Sequence, residues 1–268
     1  MTEPPTTPTR LDLLVMRQTN FSREYAQEVI AKGLVTANNK PLTKPGQKLD
    51  PSTPLTISAD KMKYVSRGGY KLEKAVEVFA ISVHNNTCID IGASTGGFTD
   101  CLLQGGAAKV YAIDSGTDQL VDSLRTDPRV LCMENTNIRD ITPEQLGETA
   151  DCITIDVSFI SLTKVLPHAA ALLSDEGTII ALVKPQFEAG RTHLNKNGVV
   201  SDPKVHLHVL RDLHNALSDF NLYAHGCIAS PIRGQNGNAE YLLCLRKTPG
   251  MTDMAFLQTI KTITTTTK

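Results

Sequence analysis

Several features that mark particular classes of protein are missing from this sequence. Its 268 residues include no tryptophan, and the formal net charge is only −1. No apolar run approaches the ~20 residues that a membrane-spanning helix needs. The first ten residues are rich in Pro and Thr and lack the apolar segment of a secretion signal. We therefore expect a globular, cytoplasmic protein without membrane contact.

The sequence also lacks the usual signatures of a metal site. Its six cysteines form no C-x-x-C pair, and most of them lie in apolar, strand-like segments. This pattern favours reduced thiols in the core over disulfides or metal ligands. His206, His208 and His214 lie on one predicted helix, but no H-E-x-x-H spacing occurs. No metal is expected.

Charge is unevenly distributed along the chain. Residues 1–75 hold 12 Lys and Arg against 7 Asp and Glu, whereas residues 76–268 hold 15 against 21. A basic segment joined to a mildly acidic body is typical of a nucleic-acid-binding module attached to another domain. A solvated surface gives the same pattern, so charge alone does not decide between the two.

The strongest local signal is a glycine-rich stretch. Apolar residues lead into Asp90-Ile91-Gly92-Ala93-Ser94-Thr95-Gly96-Gly97-Phe98-Thr99-Asp100, and a helix-compatible run follows. Strand, glycine-rich turn and helix in this order seat nucleotide-like ligands in α/β domains. The spacing is not G-x-G-x-x-G, which disfavours a nicotinamide dehydrogenase. It resembles the first motif of S-adenosylmethionine-dependent methyltransferases.

A second acidic position supports a nucleoside site. The next predicted strand ends in Asp114, 22 residues after Gly92. An acidic side chain at such an offset can accept hydrogen bonds from a ribose diol. Together with the resemblance, this predicts an S-adenosylmethionine site. Its candidate residues are Asp90, Gly92, Ala93, Ser94, Gly96, Gly97, Phe98, Thr99, Asp114, Asn137 and Asp156.

Alternating strands and helices follow from Thr87 onward, which is typical of a largely parallel sheet covered by helices. Seven strands are predicted, at 87–91, 109–114, 129–133, 152–156, 178–183, 222–228 and 241–246. Helices are predicted near 98–104, 119–124, 162–173 and 205–220. The expected fold class is α/β: a Rossmann-like methyltransferase domain with a seven-stranded, mostly parallel sheet.

The segment 185–203 has little periodicity, and a loop of this length in a compact domain is usually functional. Phe187 could stack on an RNA base, and Arg191 and Lys196 could bind its phosphates. An ordinary surface loop explains the same residues equally well.

The first 60 residues predict a small α+β module. Two short helices, at 11–15 and 23–32 with Ser22 as N-cap, precede strands at 34–36, 41–43 and 55–57. Asn38-Asn39 favours a hairpin turn between the first two strands.

Four segments of this module resemble the S4 RNA-binding domain. They are Arg10-Leu11-Asp12, Ser22-Arg23-x-x-Ala26, Ile30-x-x-Gly33-x-Val35 and Lys44-Pro45-Gly46-x-Lys48-Leu49. The resemblance implies binding of RNA by the basic side chains of this region. They are Arg10, Arg17, Arg23, Lys32, Lys44, Lys48 and Arg67.

Four charged residues adjoin apolar segments. Lys71 follows a glycine pair, Asp156 and Lys184 end predicted strands, and Glu240 opens one. Charged side chains are rarely buried unless paired, and ligands of open α/β sheets bind at strand ends. Lys, Asp, Lys and Glu in this order resemble the tetrad of the FtsJ-type 2′-O-ribose RNA methyltransferases.

Longer motifs resemble the TlyA family, also called haemolysin A, over about residues 10–246. They are Ser66-Arg67-Gly68-Gly69-x-Lys71-Leu72, Asp156-Val157-Ser158-Phe159-Ile160-Ser161-Leu162 and Val183-Lys184-Pro185-Gln186-Phe187-Glu188. The resemblance implies methylation of a cytidine 2′-hydroxyl in ribosomal RNA. In it, Lys184 is the base, Asp156 orients Lys184, and Lys71 and Glu240 position the ribose.

One departure from the family lies after Asp114. The family commonly has Val-Gly and then Tyr-Gly there, whereas this chain continues Ser115-Gly116-Thr117-Asp118. The shape of the ribose-adenine pocket is therefore left open.

The expected organisation is a flexible start at 1–9, an S4-like domain at 10–60, a linker at 61–75, a methyltransferase domain at 76–250 and a tail or helix at 251–268. The expected partners are ribosomal RNA or ribosomal subunits, bound by a monomer or weak dimer. Two other functions stay open: a haemolysin, which no strongly amphipathic basic stretch supports, and an RNA-binding protein with an inactive methyltransferase domain, against which the complete tetrad argues.

Overall fold

The computed structural model describes residues 7–19, 21, 23–58 and 63–266. The chain divides into two compact units, the first ending at Arg67 and the second beginning at Gly68. The predicted N-cap at Ser22, most of the predicted flexible start and part of the predicted linker lie outside the described residues. The predicted domain limits therefore stay predictions.

The N-terminal unit combines two helices with short antiparallel strands. Its helices are α1 (Leu11–Gln18) and α2 (Arg23–Ala31). Its strands are β1 (Thr9–Arg10), β2 (Val35–Ala37), β3 (Lys40–Leu42), β4 (Lys48–Leu49) and β5 (Leu55–Ile57). Strand β1 pairs with β4, and β2 lies between β3 and β5. Asn38 and Asn39 both have positive φ, which confirms the predicted hairpin turn.

Helical periodicity explains the core of this unit. Leu11 and Val15 on α1, and Ala26 and Ile30 on α2, are fully buried. Residues four positions apart lie on one face of a helix. Each helix therefore turns one apolar stripe inward, where Val35 of β2 is also buried.

The second unit is a sheet with helices. Its strands are β6 (Thr87–Ile91), β7 (Lys109–Ile113), β8 (Val130–Met133), β9 (Ala150–Ile155), β10 (Leu173–Val183), β11 (Tyr223–Ala229) and β12 (Tyr241–Arg246). Its helices are α3 (Gly68–Val78), α4 (Gly97–Gln104), α5 (Asp122–Arg125), α6 (Pro143–Leu146), α7 (Leu166–Leu172), α8 (Pro185–Glu188), α9 (Pro203–Ala216) and α10 (Asp253–Thr266). Across the described part of the chain, no helix combines the length and apolarity needed to cross a bilayer.

The sheet has the order β11-β12-β10-β9-β6-β7-β8. Strands β6 to β10 run parallel, and β12 is antiparallel to both of its neighbours. The predicted α/β class with a seven-stranded, mostly parallel sheet is confirmed. The chain leaves β6 toward β7 on one side and returns to β9 on the other, so β6 and β9 flank the point where the strand order reverses. Ligands of open α/β sheets bind at such a point.

Strand register brings three separate parts of the chain to one level. Ile91 pairs with Ile113 of β7 and with Ile155 of β9. The residue after each of these isoleucines therefore lies at the same carboxyl edge of the sheet. These residues are Gly92, Asp114 and Asp156.

Gly92 permits a close approach between two of these strand ends. Its φ is +83°, and a Cβ at this position would overlap the carbonyl oxygen of Asp156 and lie 2.9 Å from its carbonyl carbon. A side chain would therefore push the backbone after β6 away from the backbone after β9. The glycine is required both by its conformation and by its neighbour.

Two predicted helices begin later than expected. Around 119–124, only α5 from Asp122 is helical, and the backbone N–H groups at 118–120, just before it, donate to the side chain of Glu134. The predicted helix at 162–173 is a short 3-10 turn followed by α7. Pro167 lies in the first turn of α7, where its missing N–H costs nothing.

Gly92→Ala is expected to lower the free energy of unfolding by ~2–4 kcal/mol, from left-handed strain together with the forced displacement of the Asp156 backbone. Gly147 is a matched control, because its φ is +74° and nothing lies within 4 Å of an added Cβ. Gly147→Ala should cost only ~1–2 kcal/mol. Urea unfolding followed by circular dichroism measures both. Equal losses would show that the close approach is unimportant.

Candidate active site

A cavity of about 540 Å³ opens at the carboxyl ends of β6, β7 and β9. This volume is typical of small-molecule sites. Five of the predicted cofactor residues line it: Gly92, Ser94, Asp114, Asn137 and Asp156. Apolar walls alternate with these polar groups, as in sites that hold a flat ring and orient it by a few hydrogen bonds. The apolar residues include Ile113, Ile138, Val157 and Ile160.

Asp114 connects two loops of the cavity wall. Its Oδ2 accepts a hydrogen bond from the backbone N–H of Ser94 at 2.8 Å, and its Oδ1 accepts one from Gly116 at 2.7 Å. Each carboxylate oxygen can accept a second hydrogen bond. Asp114 therefore fixes the wall and still has acceptor capacity for a ligand hydroxyl.

Glu134 orders the neighbouring loop, and sequence analysis missed it. Its carboxylate accepts hydrogen bonds from the backbone N–H groups of Asp118, Gln119 and Leu120 at 2.7–3.0 Å and from Arg125 Nη2 at 2.9 Å. Burial raises the pKa of Glu134, but these donors outweigh it and lower the pKa to about 2. Gln119 lines the cavity, so the carboxylate holds part of its wall. The available signal was an acidic residue directly after a predicted strand, as at Asp114.

Asp90 lies behind the cavity and does not line it. It is fully buried, and its two oxygens accept hydrogen bonds from Thr99 Oγ1 at 2.7 Å and Thr154 Oγ1 at 2.9 Å. Burial raises the pKa of Asp90 to about 6, although the threonine hydroxyls act in the opposite direction. Asp90 thus joins the first turn of α4 to strand β9. The structure gives it a supporting position behind the cavity, and its cofactor contact stays a prediction.

The remaining predicted cofactor residues do not line the cavity either. Gly96 is the N-cap of α4 with φ +99°, and Phe98 is 3% exposed. Gly96 thus forms the turn before α4, and Phe98 is buried at the start of this helix. Ala93, Gly97 and Thr99 are buried as well.

Two ion pairs contain the four residues of the predicted tetrad. Lys184 Nζ lies 2.6 Å from Asp156 Oδ1, and Lys71 Nζ donates a hydrogen bond to Glu240 Oε2 at 2.6 Å. The Lys184–Asp156 contact is short but poorly aligned as a hydrogen bond, since Oδ1 has no partner of hydrogen-bond geometry. Lys184 Nζ donates instead to Ser158 Oγ at 3.0 Å.

Register explains why these residues share one edge. Val183 of β10 pairs with Tyr241 of the antiparallel β12. Lys184, just after Val183, and Glu240, just before Tyr241, therefore continue the same pair of strands. Lys71 reaches this edge from the start of α3. All four side chains are at most 21% exposed, and two cations balance two carboxylates, which such burial requires.

An exposed aromatic ring lies beside this cluster. Phe159 is 88% exposed, lines the mouth of the cavity and has φ +63°, a rare conformation for a bulky side chain. Its ring centroid lies 4.9 Å from that of Phe187, and Lys184 Nζ lies 5.9 Å from the Phe187 centroid. Phe187 was predicted to meet RNA, whereas Phe159 was not singled out. Strain retained at an exposed ring is typical of functional loops.

Glu188 holds the loop that carries Phe159. Its carboxylate accepts hydrogen bonds from Ser161 Oγ at 2.6 Å and from the backbone N–H of Leu162 at 2.8 Å. Burial raises the pKa of Glu188. The short helix α8 is thereby attached to the segment after β9. Arg191 and Lys196, farther along, are exposed, and their predicted RNA contacts stay predictions.

Most of the basic residues predicted to bind RNA lie in the N-terminal unit, and several already have acidic partners. Arg10 donates two hydrogen bonds to the buried Asp12, and this guanidinium holds the pKa of Asp12 well below its usual range. Arg23 also contacts Asp12, at 3.4 Å. Lys32 and Arg67 both pair with Glu28. Arg17, Lys44 and Lys48 are exposed, as are Arg23 and Lys32 despite their acidic partners.

The three histidines of α9 are engaged separately. His206 Nε2 is 2.8 Å from the carbonyl of Val200, and its Nδ1 is 3.0 Å from the Tyr241 hydroxyl. His208 contacts Asp212, and His214 contacts Asp253. Among residues 7–266, as far as they are described, no group of three or more His, Cys, Asp or Glu could hold a metal ion.

Comparison with known proteins identifies the family. The profile of the FtsJ-like methyltransferase family matches residues 64–247, and that of the S4 domain matches residues 9–54. The chain belongs to the FtsJ-like methyltransferase family. The family predicted from sequence is confirmed, and with it the class of enzyme, a methyltransferase that uses S-adenosylmethionine.

Relatives of this methyltransferase cover most of the chain. YqxC of Bacillus subtilis, which carries an rRNA methyltransferase name, is 49% identical over 88% of this chain and 85% of its own. The 16S/23S rRNA (cytidine-2′-O)-methyltransferase TlyA of Mycobacterium tuberculosis is 44% identical over 87% of each chain. A solved structure from Streptococcus thermophilus, described as a candidate hemolysin, matches with a TM-score of 0.78, 43% identity and 96% coverage of both chains.

Asp90→Asn tests the buried carboxylate. The pKa of Asp90 is about 6 in the folded protein, against ~3.9 for an unfolded aspartate. Its contribution to stability is therefore complete below pH ~4 and is lost as pH rises through ~6. Because asparagine does not titrate, the free energy of unfolding of the variant minus that of the wild type should increase by ~2 kcal/mol from pH 4 to 7. Urea unfolding of both proteins across this pH range measures the difference. If the difference in the free energy of unfolding does not change with pH, the prediction is wrong.

Glu134→Gln is expected to weaken S-adenosylmethionine binding roughly tenfold, or ~1.4 kcal/mol, because the loop at 118–120 loses a charged acceptor. Glu148 is a matched control: it also accepts several hydrogen bonds, from Lys109, Tyr111 and Thr87, but lies among residues at the amino ends of the strands. Glu148→Gln should leave affinity unchanged. Isothermal titration measures both. Equal cofactor affinities in the two variants would show that Glu134 does not support cofactor binding.

Proposed function

We propose that this protein transfers a methyl group from S-adenosylmethionine to the 2′-hydroxyl of a cytidine ribose in ribosomal RNA. One observation carries the proposal: the Lys184–Asp156 and Lys71–Glu240 pairs lie at the sheet edge that also holds the cavity. The names of the B. subtilis and M. tuberculosis relatives supply the substrate class. We further propose a cytoplasmic enzyme, acting on ribosomal subunits as a monomer or weak dimer.

The cavity suits a nucleoside that carries a charged tail. Asp114 would accept hydrogen bonds from ribose hydroxyls, and Asn137, beside the apolar Ile113 and Ile138, would hold the adenine. When bound, S-adenosylmethionine supplies a methyl group attached to a positively charged sulfur. The Asp156 carboxylate at the cavity wall would stabilise that positive charge by direct attraction.

Lys184 is proposed to take the proton of the ribose 2′-hydroxyl on its Nζ. A lysine accepts a proton only when it is neutral, so the proposed step uses the neutral amine of Lys184. Its contact with Asp156, 2.6 Å from Nζ, holds the amine beside the cavity wall. The hydroxyl of Ser158, 3.0 Å away, can accept from the ammonium or donate to the amine, so it orients Lys184 in both states.

Lys71 and Glu240 are proposed to position the ribose. Glu240 is 3% exposed and its Oε2 is bound, so the carboxylate serves mainly to fix Lys71. The Lys71 ammonium has three donors, and Glu240 takes one of them. The others can bind a ribose or phosphate oxygen. Alignment of reacting groups in this way can supply up to ~7–11 kcal/mol of the barrier reduction.

The exposed aromatic pair supports an RNA substrate. A hydroxyl inside a folded RNA reaches a recessed lysine only if the nucleotide is turned outward. Bases released in this way stack on aromatic side chains. Phe159, at the mouth of the cavity, and Phe187, beside Lys184, offer such a surface. The S4 domain at residues 9–54 supports binding of the surrounding RNA.

Lys184→Ala should lower the rate of methyl transfer by at least ~100-fold, the usual contribution of a general base. The assay measures transfer from radiolabelled S-adenosylmethionine to ribosomal subunits that lack the modification, with nucleoside analysis to locate the label. Cofactor affinity should stay close to that of the wild type, because Lys184 does not line the cavity.

Lys109→Ala provides the matched control for this experiment. Lys109 also forms an ion pair, with Glu148 at 2.7 Å, but at the start of β7. Its replacement should change the rate by no more than ~2-fold, since exposed pairs contribute little. Transfer by Lys184→Ala at the wild-type rate would refute the base assignment. Absence of label at a ribose 2′-oxygen with the wild type would refute the proposed function, and cofactor titration would then show whether the protein only binds.

A further inference from the structure

Gly234 lies in the turn that precedes Glu240, and the two residues are in close contact. A Cβ built on Gly234 would overlap Glu240 Oε1 and lie 2.6 Å from its Cδ and 3.3 Å from its Cγ. The carboxylate of Glu240 thus occupies the space that any other residue at position 234 would fill. Sequence analysis singled out Glu240 but not this glycine.

The backbone itself does not require glycine here. Gly234 has φ −73° and ψ −169°, which is extended backbone that any residue adopts. Its replacement by alanine would therefore add no backbone strain. The reason for glycine at this position is the space that it leaves for its neighbour.

The Glu240 side chain cannot move aside without losing its ion pair with Lys71. Its side chain is 3% exposed, and its Oε2 accepts the hydrogen bond from Lys71 at 2.6 Å. Displacement of the carboxylate lengthens that contact and leaves a buried charge without its partner.

The turn cannot easily move away either. Gly234 N–H donates to the carbonyl of Asn238 at 2.8 Å. The buried side chain of Asn238 in turn donates to the carbonyls of Gly198 and Gln235 at 3.1 and 3.0 Å. A methyl group at position 234 would therefore displace the carboxylate more readily than the backbone.

We infer that Gly234 is a positioning residue for the Lys71–Glu240 pair: the absence of a side chain there creates the space in which Glu240 reaches Lys71. The inference deepens the proposed function, on which its catalytic part rests. It adds a residue that touches neither substrate nor cofactor and that acts through Glu240.

The test compares two glycines of one turn. Gly237 has φ +84°, and nothing lies within 4 Å of a Cβ built on it. Gly237→Ala therefore strains the backbone without touching Glu240. Gly234→Ala, by contrast, contacts Glu240 without straining the backbone. We expect Gly234→Ala to lower the methyl-transfer rate roughly tenfold or more and to leave cofactor affinity unchanged. Gly237→Ala should keep the rate within about twofold although its backbone is strained.

A double variant separates positioning from general damage. If Gly234 acts through Glu240, Gly234→Ala combined with Glu240→Ala should be no slower than Glu240→Ala alone, because the carboxylate that the added methyl group displaces is then absent. If the rate losses of the two single variants multiply in the double variant, the inference is overturned. Wild-type activity in Gly234→Ala, or a larger loss in Gly237→Ala, would overturn it as well.

A second measurement does not depend on activity. In Glu240→Asp, the carboxyl carbon takes the place of Cγ, which is 3.3 Å from the added Cβ. Gly234→Ala should therefore destabilise this variant less than it destabilises the wild type in urea unfolding, and the double variant should fold even if Gly234→Ala alone does not. Equal destabilisation in both backgrounds would refute the steric role. Failure of the wild type to methylate RNA, with unequal destabilisation, would refute the proposed function alone.

Discussion

Alignment of three parallel strands at one level determines where the polar groups of the candidate active site lie. Ile91, Ile113 and Ile155 are hydrogen-bonded neighbours, so the next residue of each strand emerges at the same edge. The apolar residues before them are buried on both faces, as is usual for parallel strands. A slip of one residue would turn every side chain to the opposite face. The core therefore fixes the site: packing of isoleucines holds Asp114 and Asp156 at the cavity.

Charge balance is the second constraint at this edge. Lys184, Asp156, Lys71 and Glu240 are largely removed from water, and each alone would be costly to bury. As two opposed pairs they are tolerated, and each lysine is held in one place by a carboxylate. Asp90 is a further carboxyl group of this region, and it is fully buried within β6, behind the cavity. Two threonine hydroxyls bind it, but burial outweighs these hydrogen bonds and raises its pKa.

Much of the fold and part of the site could be predicted from the sequence, because they depend on local patterns. Apolar runs located the seven strands, and charged residues directly after them located Asp114, Asp156 and Lys184. The contacts that escaped prediction join segments far apart in the chain. Glu134 binds backbone groups 14 to 16 residues earlier, a contact that the pattern of neither segment indicates. The burial of Asp90 and the left-handed backbone of Phe159 likewise depend on tertiary neighbours that no local pattern encodes.

The division of the chain at Arg67 and Gly68 has an evolutionary consequence. Lys71, Asp156, Lys184, Glu240 and the whole cavity wall belong to the second unit, whereas the S4 domain belongs to the first. Under the proposed function, surface substitutions that alter RNA binding can therefore accumulate in the first unit while selection preserves the reaction in the second. Within such a lineage, enzymes with a common catalytic apparatus can diverge in their targets without passing through inactive ancestors.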